Sequence, residues 1–263
     1  MARVFLVTGA SSGIGEATAL RRAREPDCRL ILVARREERL RALAESLPVP
    51  ASWVAADVTD EDAPERIAAH VEEAGGRLDL LVNNAGASWR GRFADEGSEN
   101  VRRTMELNFD AVVRLSEALL PALRRSAPSA IVNVASTAGR ISRPGAGAYS
   151  ASKYALIGWS DSLYAEEREH GVHVGVVLPG FIETEGFPAE ELRAKPWTRW
   201  LVSTPDKAAE AIVDAGLGGR AERWVPRAYG LTAVLRVVAP GLVRRVISGG
   251  AAGTMTTATK PRG

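Results

Sequence analysis

The chain has 263 residues, 46% of them hydrophobic and 25% charged, with a formal net charge of +2. That length suits one large α/β domain with a sizeable core, and a charge so near balance gives no reason to expect a nucleic-acid partner. A single cysteine, Cys28, excludes an internal disulfide and any cysteine-based zinc cluster, and no run of about 18 apolar residues offers a membrane span.

The N-terminus "MARVFLVTGA" enters a strand-like run without an apolar leader or a transit composition, so a cytoplasmic protein is expected. From there, short apolar runs alternate with longer stretches of helical periodicity. "RVFLVTG" is the first strand, followed by a glycine-rich turn and the helical "EATALRRARE". "RLILVAR" and "ASWVAAD" are strands separated by the helical "REERLRALAESL", and "APERIAAHVEEAG" leads to the strand "LDLLVNNAG". One long helix is expected across "SENVRRTMELNFDAVVRLSEALLPALRRS". After it come the strand "AIVNVAS", the helix "SASKYALIGWSDSLYAEEREHG" and the strand "VHVGVVLPG". Near-continuous hydrophobicity in these six runs suits strands buried on both faces of a parallel sheet. The β-α-β-α rhythm predicts a single-domain, Rossmann-type doubly wound α/β fold over residues 1–228, with helices on both faces. "ERWVPR" is a weaker, later strand. Residues 229–248 read as an amphipathic extension, and 249–263, small and polar, as a disordered tail.

The turn "VTGASSGIGEA" sets Gly9, Gly13 and Gly15 in a T-G-x-x-x-G-x-G spacing between a strand and a helix. Glycine permits the tight turn, lets backbone N–H groups reach a pyrophosphate and allows close helix–strand packing. The helix N-terminus adds partial positive charge. Ser11, Ser12 and Ile14 complete this candidate cradle. Where the second strand ends, an acidic residue would hold the ribose diol of NAD, but the chain has Ala34, Arg35 and Arg36. A planar guanidinium fork matches a 2′-phosphate, so NADP(H) is expected in preference to NAD(H).

Further on, "AYSASKYAL" places Tyr149 four residues before Lys153, one helical turn away on the same face. Alone, Y-x-x-x-K would arise by chance in about half of chains this long, so the pair needs its context. The three histidines, His70, His170 and His173, show no metal spacing and no place in a nucleophilic triad, and no metal site is expected.

The context is an ordered series: "TGASSGIG", "DV" at 57–58, "NNAG" at 83–86, "LN" at 107–108, Ser136, "YSASK", and "PG" at 179–180 followed by Thr184. In this order the chain resembles the classical short-chain dehydrogenase/reductase (SDR) family, from residue 3 to about residue 215. The resemblance implies hydride transfer between a nicotinamide and a carbonyl or secondary alcohol, as in a carbonyl reductase. It implies that Asn108, Ser136, Tyr149 and Lys153 form a catalytic tetrad. Tyr149 would donate the proton, Lys153 would lower its pKa and hold the nicotinamide ribose, Ser136 would hold the substrate oxygen, and Asn108 would support a proton-supplying water chain. It further implies that Asp57 and Val58 contact adenine, and that Asn83, Ala85 and Gly86 lie beside the cofactor. Pro179, Gly180, Ile182 and Thr184 would meet the nicotinamide and its phosphates. The alternative is a regulatory or scaffold protein that binds NADP(H) without turnover.

Segment 181–205 covers the substrate in such proteins. Here Phe181, Phe187, Trp197 and Trp200, with Trp89 and Phe93, either wall a lipophilic pocket or anchor loops; a hydrophobic carbonyl or alcohol is the preferred substrate. In the extension, Leu231, Val234, Leu235, Val238, Leu242, Val243 and Val246 form an apolar stripe broken at Pro240–Gly241, with Arg236, Arg244 and Arg245 beside it. Three placements are open to it: packing on the domain, contact with a second subunit of a homo-oligomer, or peripheral contact with a membrane.

Overall fold

The computed structural model describes residues 2–185, 192, 194 and 199–248. Phe187, Trp197, the Trp200 side chain and the expected disordered tail 249–263 lie outside the described residues. The order is β1 (Arg3–Thr8), α1 (Gly13–Arg22), β2 (Cys28–Ala34), α2 (Glu37–Ser46), β3 (Ala51–Ala55), α3 (Ala63–Glu73), β4 (Leu80–Asn83), α4 (Phe93–Met105) and α5 (Ala111–Arg125). It continues with β5 (Ser129–Val134), α6 (Gly147–Glu167), β6 (Val172–Pro179), β7 (Phe181–Ile182), β8 (Val202–Ser203), α7 (Pro205–Gly216), β9 (Glu222–Val225), α8 (Tyr229–Val238) and α9 (Pro240–Ser248).

Seven strands form one parallel sheet in the order β3-β2-β1-β4-β5-β6-β9, the doubly wound architecture expected from the sequence. Strand periodicity explains its two cores. Phe5 and Val7 of β1 face one side with Leu30, Leu32, Leu80 and Val82, covered by α1, α2 and α7. Val4 and Leu6 face the other with Ile31, Val33, Leu81 and Ile131, covered by α3, α5 and α6. The order reverses between β1 and β4, and the crevice at the carboxyl ends of these strands is where such sheets take ligands. "ERWVPR" supplies β9, which pairs with β6 at the sheet edge. α7 opens with Thr204 accepting a hydrogen bond from the Lys207 N–H (3.4 Å) and with Pro205 in its first turn.

The long helix expected across 98–126 is not continuous. Gly97 takes φ +62° inside α4, and the five residues Glu106–Asp110 form a π-helical turn between α4 and α5. The π turn carries one extra residue in its ring and re-aims Asn108, which periodicity alone does not reveal.

Candidate active site

The glycine turn caps the crevice. Gly9 and Gly13 both have positive φ (+66° and +60°), and a Cβ on Gly15 would lie 2.3 Å from the Gly9 carbonyl oxygen. Backbone therefore approaches backbone where the α1 N-terminus opens, leaving room for an anion rather than a side chain. Thr8 ties this turn to the end of β4. Its Oγ1 accepts from the backbone N–H groups of Asn84 (2.9 Å) and Ala85 (3.0 Å), while Asn84 Nδ2 donates to the Thr8 carbonyl (2.9 Å). Gly15→Ala is expected to weaken dinucleotide binding about 10–100-fold by overpacking, measured by fluorescence titration with the reduced cofactor.

Arg36 spans the same turn, donating from Nη2 to Ser12 Oγ (2.8 Å) and Ser11 Oγ (3.0 Å). Arg35 is exposed and stands 3.5 Å from Asp57. Asp57 is held below the usual carboxylate range: burial pushes it up, but two hydrogen bonds from Thr59 and the Arg35 charge outweigh that. Val58 is buried beneath this edge. Ser11, Ser12, Arg35 and Arg36 thus form a donor-rich rim at the end of β2, chemically suited to a phosphate.

Deeper in the crevice, Tyr149 and Lys153 both belong to α6, and Lys153 Nζ lies 5.9 Å from the Tyr149 ring centroid. Ser136 stands close enough to the Tyr149 hydroxyl to act on its phenol. Ser136 ends β5 as the cap of a short helical turn, accepting from the Ala138 N–H (3.1 Å) and donating to the Pro179 carbonyl (3.3 Å). Burial raises the Tyr149 phenol above its ordinary value; the Ser136 hydroxyl, then the charges of Arg143 and Arg90, pull it back. Lys153, expected from the sequence to be the group that lowers it, is not among these. Its own ammonium is buried, donates to the Val134 carbonyl (2.8 Å), and is pushed down to about 8 by desolvation.

Asn108 clamps the loop after β4. Its Oδ1 accepts from the Ala87 N–H (3.0 Å), and its Nδ2 donates to the Ala87 carbonyl (2.9 Å) and Ser152 Oγ (3.1 Å). Gly86 lies against this clamp: a Cβ there would come 2.9 Å from Asn108 Oδ1 and 3.6 Å from Lys153 Nζ. All four tetrad candidates therefore gather around the ends of β4 and β5. Thr8, Asn84, Ser152, Arg90 and Arg143 join them without having been singled out in the sequence. The first three had a signal, standing inside the "TG", "NNAG" and "YSASK" motifs; the arginines, on loops, had none.

A profile of the short chain dehydrogenase family matches residues 3–194. The chain belongs to the short-chain dehydrogenase/reductase family. Among SDR relatives, a bovine protein named dehydrogenase/reductase SDR family member 7B is 36% identical over 190 residues, 69% of this chain and 58% of the relative. The chain thus spans under two thirds of that relative's length. The oxidoreductase YxnA of Bacillus subtilis is 34% identical over 257 residues, 93% of this chain and 71% of the relative. A crystal structure of a short-chain dehydrogenase from Streptomyces avermitilis superimposes with a TM-score of 0.78 at 32% identity, covering 98% of this chain and all of that one.

The remaining candidates fall on both sides of the SDR crevice. Asn83 turns its side chain into the core, donating to Ser116 Oγ (3.0 Å) and Asn133 Oδ1 (2.9 Å), so only its backbone faces the cofactor side. Ile14 lies at the N-terminus of α1. Pro179 ends β6, Ile182 is buried in β7, and Thr184 follows, its Cγ2 3.1 Å from the position of a Gly13 Cβ. Gly180 is filled by Tyr229, whose Cε2 would lie 2.3 Å from a Cβ at that position. Of the proposed apolar wall, Phe181 is half-buried under the Arg143 guanidinium (4.7 Å) and Trp89 under that of Arg103 (5.1 Å), whereas Phe93 is 72% exposed.

Proposed function

We propose that this SDR oxidoreductase interconverts a hydrophobic carbonyl compound and its secondary alcohol, with NADP(H) preferred over NAD(H) and Tyr149 as the proton donor. The observation that carries the reading is the grouping of Tyr149 with Ser136, which acts on its phenol, and with Lys153, whose Nζ lies 5.9 Å from its ring. A nicotinamide dinucleotide, when bound, supplies or takes up the hydride. The residues do the rest. Gly9, Ser11, Ser12, Gly13, Ile14 and Gly15 would hold its pyrophosphate, and Asp57 and Val58 its adenine. Ala85, Gly86, Pro179, Ile182 and Thr184 would frame its nicotinamide half, and Lys153 would reach the ribose. Ser136 Oγ would orient the substrate oxygen, Tyr149 Oη would deliver the proton to it, and Asn108 would keep the loop at Ala87 fixed beside them.

The NADP(H) preference is supported by Arg35 and Arg36 at the end of β2, where no acid stands to hold a ribose diol. A charge-assisted hydrogen bond contributes about 1.5–3 kcal/mol. Arg35→Asp is accordingly expected to lower kcat/KM with NADPH about 10–100-fold and to lift the relative use of NADH. An unchanged NADPH/NADH ratio in that variant would refute the 2′-phosphate assignment.

Among the described residues no helix is long and apolar enough to cross a membrane. We infer that α8 and α9 instead offer a peripheral surface to a second subunit or a membrane. Leu231, Val234, Val237, Val238, Leu242 and Val246 are exposed on them, and Tyr229 is their anchor.

A further inference from the structure

Four guanidinium groups surround one cavity beside the reaction site. The loop between β5 and α6 faces α8 and α9 across about 720 Å3, with Ser142, Arg143, Arg236, Arg244, Arg245 and Ser248 as its polar lining. Among the described residues no carboxylate lines it, and none of these four arginines has an ion-pair partner. A second cavity of about 860 Å3, between β8, α7 and β9, is different. It includes Glu210, and its Arg223 is paired with Asp214 at 2.9 Å. It too is basic, with Arg199, Lys207 and Arg227 beside Arg223, but a carboxylate enters its lining, as none does among the described residues of the first.

Arg143 connects the open cavity to the chemistry. It is half-buried, its guanidinium lies 4.7 Å from the centroid of the Phe181 ring, and its charge acts on the Tyr149 phenol. Burial and the like charge of Arg90 hold the Arg143 guanidinium below its ordinary value, while Tyr229 and Tyr149 act the other way. The far wall is fixed to the same site: Tyr229, at the start of α8, packs on Gly180 and donates to the Leu201 carbonyl (3.2 Å).

We propose that this cavity receives a phosphate group carried by the substrate, so that the compound oxidised or reduced at Tyr149 is a hydrophobic carbonyl or alcohol bearing a phosphate monoester. Guanidinium forks pair bidentately with phosphate, and a dianion matches a cluster of arginines better than one carboxylate does. The proposal rests on the carbonyl/alcohol reading above, and its test separates the two.

Initial rates of NADPH oxidation are measured with a hydroxyalkyl methyl ketone and with its phosphate monoester, for the wild-type protein and for Arg244→Gln/Arg245→Gln. The ester is expected to exceed the neutral ketone in kcat/KM by about 10–100-fold, mainly through KM, and the double substitution to bring that ratio close to unity. Equal kcat/KM for the two ketones in the wild type overturns the proposal. Calorimetric titration of octyl phosphate into the NADPH-loaded protein gives a reading independent of turnover. Binding that disappears in the double variant supports the cavity even if neither ketone is turned over, in which case the carbonyl reading is what fails. Absence of binding overturns the cavity. Co-sedimentation with phosphatidic acid/phosphatidylcholine vesicles separates the two sources of phosphate. A deficit of the variant confined to pelleting, with the ketone ratio unaltered, overturns the substrate proposal and gives the arginines to a membrane headgroup.

Discussion

Tyr149→Phe is expected to lower kcat for ketone reduction about 10²–10⁴-fold, the usual contribution of a positioned proton donor, while the folded protein still binds NADPH. The substitution removes one oxygen from a ring held in α6 and leaves the glycine turn untouched. Wild-type pH profiles should carry the same signature. Burial raises the phenol, so at neutral pH Tyr149 is protonated and ready to donate. Carbonyl reduction should fall as pH climbs toward the raised phenol value, and alcohol oxidation, which needs the phenolate, should rise over the same range. Steady-state rates in both directions, for wild type and variant, check this. A Tyr149→Phe enzyme with full turnover would remove Tyr149 from the role.

Lys153→Met should make the protein more stable as it makes it inactive. In the folded chain the ammonium is buried and its pKa is about 8, against 10.5 for the ordinary group. Below pH 8 the folded protein must carry a buried charge that the unfolded chain keeps in water, a penalty on the order of 3 kcal/mol. As pH rises from 8 to 10.5 the folded lysine is neutral while the unfolded one is still protonated, so the unfolded state binds more protons and stability climbs with pH. Methionine removes the charge but leaves the Val134 carbonyl without its donor, a loss of about 1 kcal/mol. The net gain near neutral pH is about 2 kcal/mol, roughly 4–8 °C in Tm, and it should shrink above pH 9. Thermal unfolding of the cofactor-free protein at two pH values measures it. A Tm that falls at pH 7 would contradict the desolvation argument.

Much of this architecture was legible because parallel strands buried on both faces announce themselves as unbroken apolar runs. All six runs became strands, and the glycine turn stands where its spacing put it. The errors have local causes. The π turn around Asn108 leaves the helical pattern of apolar residues nearly unchanged, so one long helix was read where two helices flank a bulge. β7 and β8 are two residues each, too short to show a period. Asn83 stands in the motif, but which way its side chain turns, here onto Ser116 and Asn133, is not written in the motif. Arg90 and Arg143 act on Tyr149 from loops, and through-space charge has no sequence spacing to betray it.

The buried chain of polar contacts running from Ser116 through Asn83 and Asn133 to Ser160 has a consequence for evolvability. Asn83 and Asn133 are register partners on β4 and β5, while Ser116 and Ser160 belong to the two helices covering them. Valines and leucines elsewhere in these strands could exchange places or slide past one another at modest cost; the amide pair cannot, because a one-residue slip leaves two buried amides without partners. The chain behaves as a vernier, with one mark that must align at the end of the sheet where Ser136 and the loop at Gly86 begin. Drift in the apolar layers can therefore accumulate without carrying the reacting groups out of alignment.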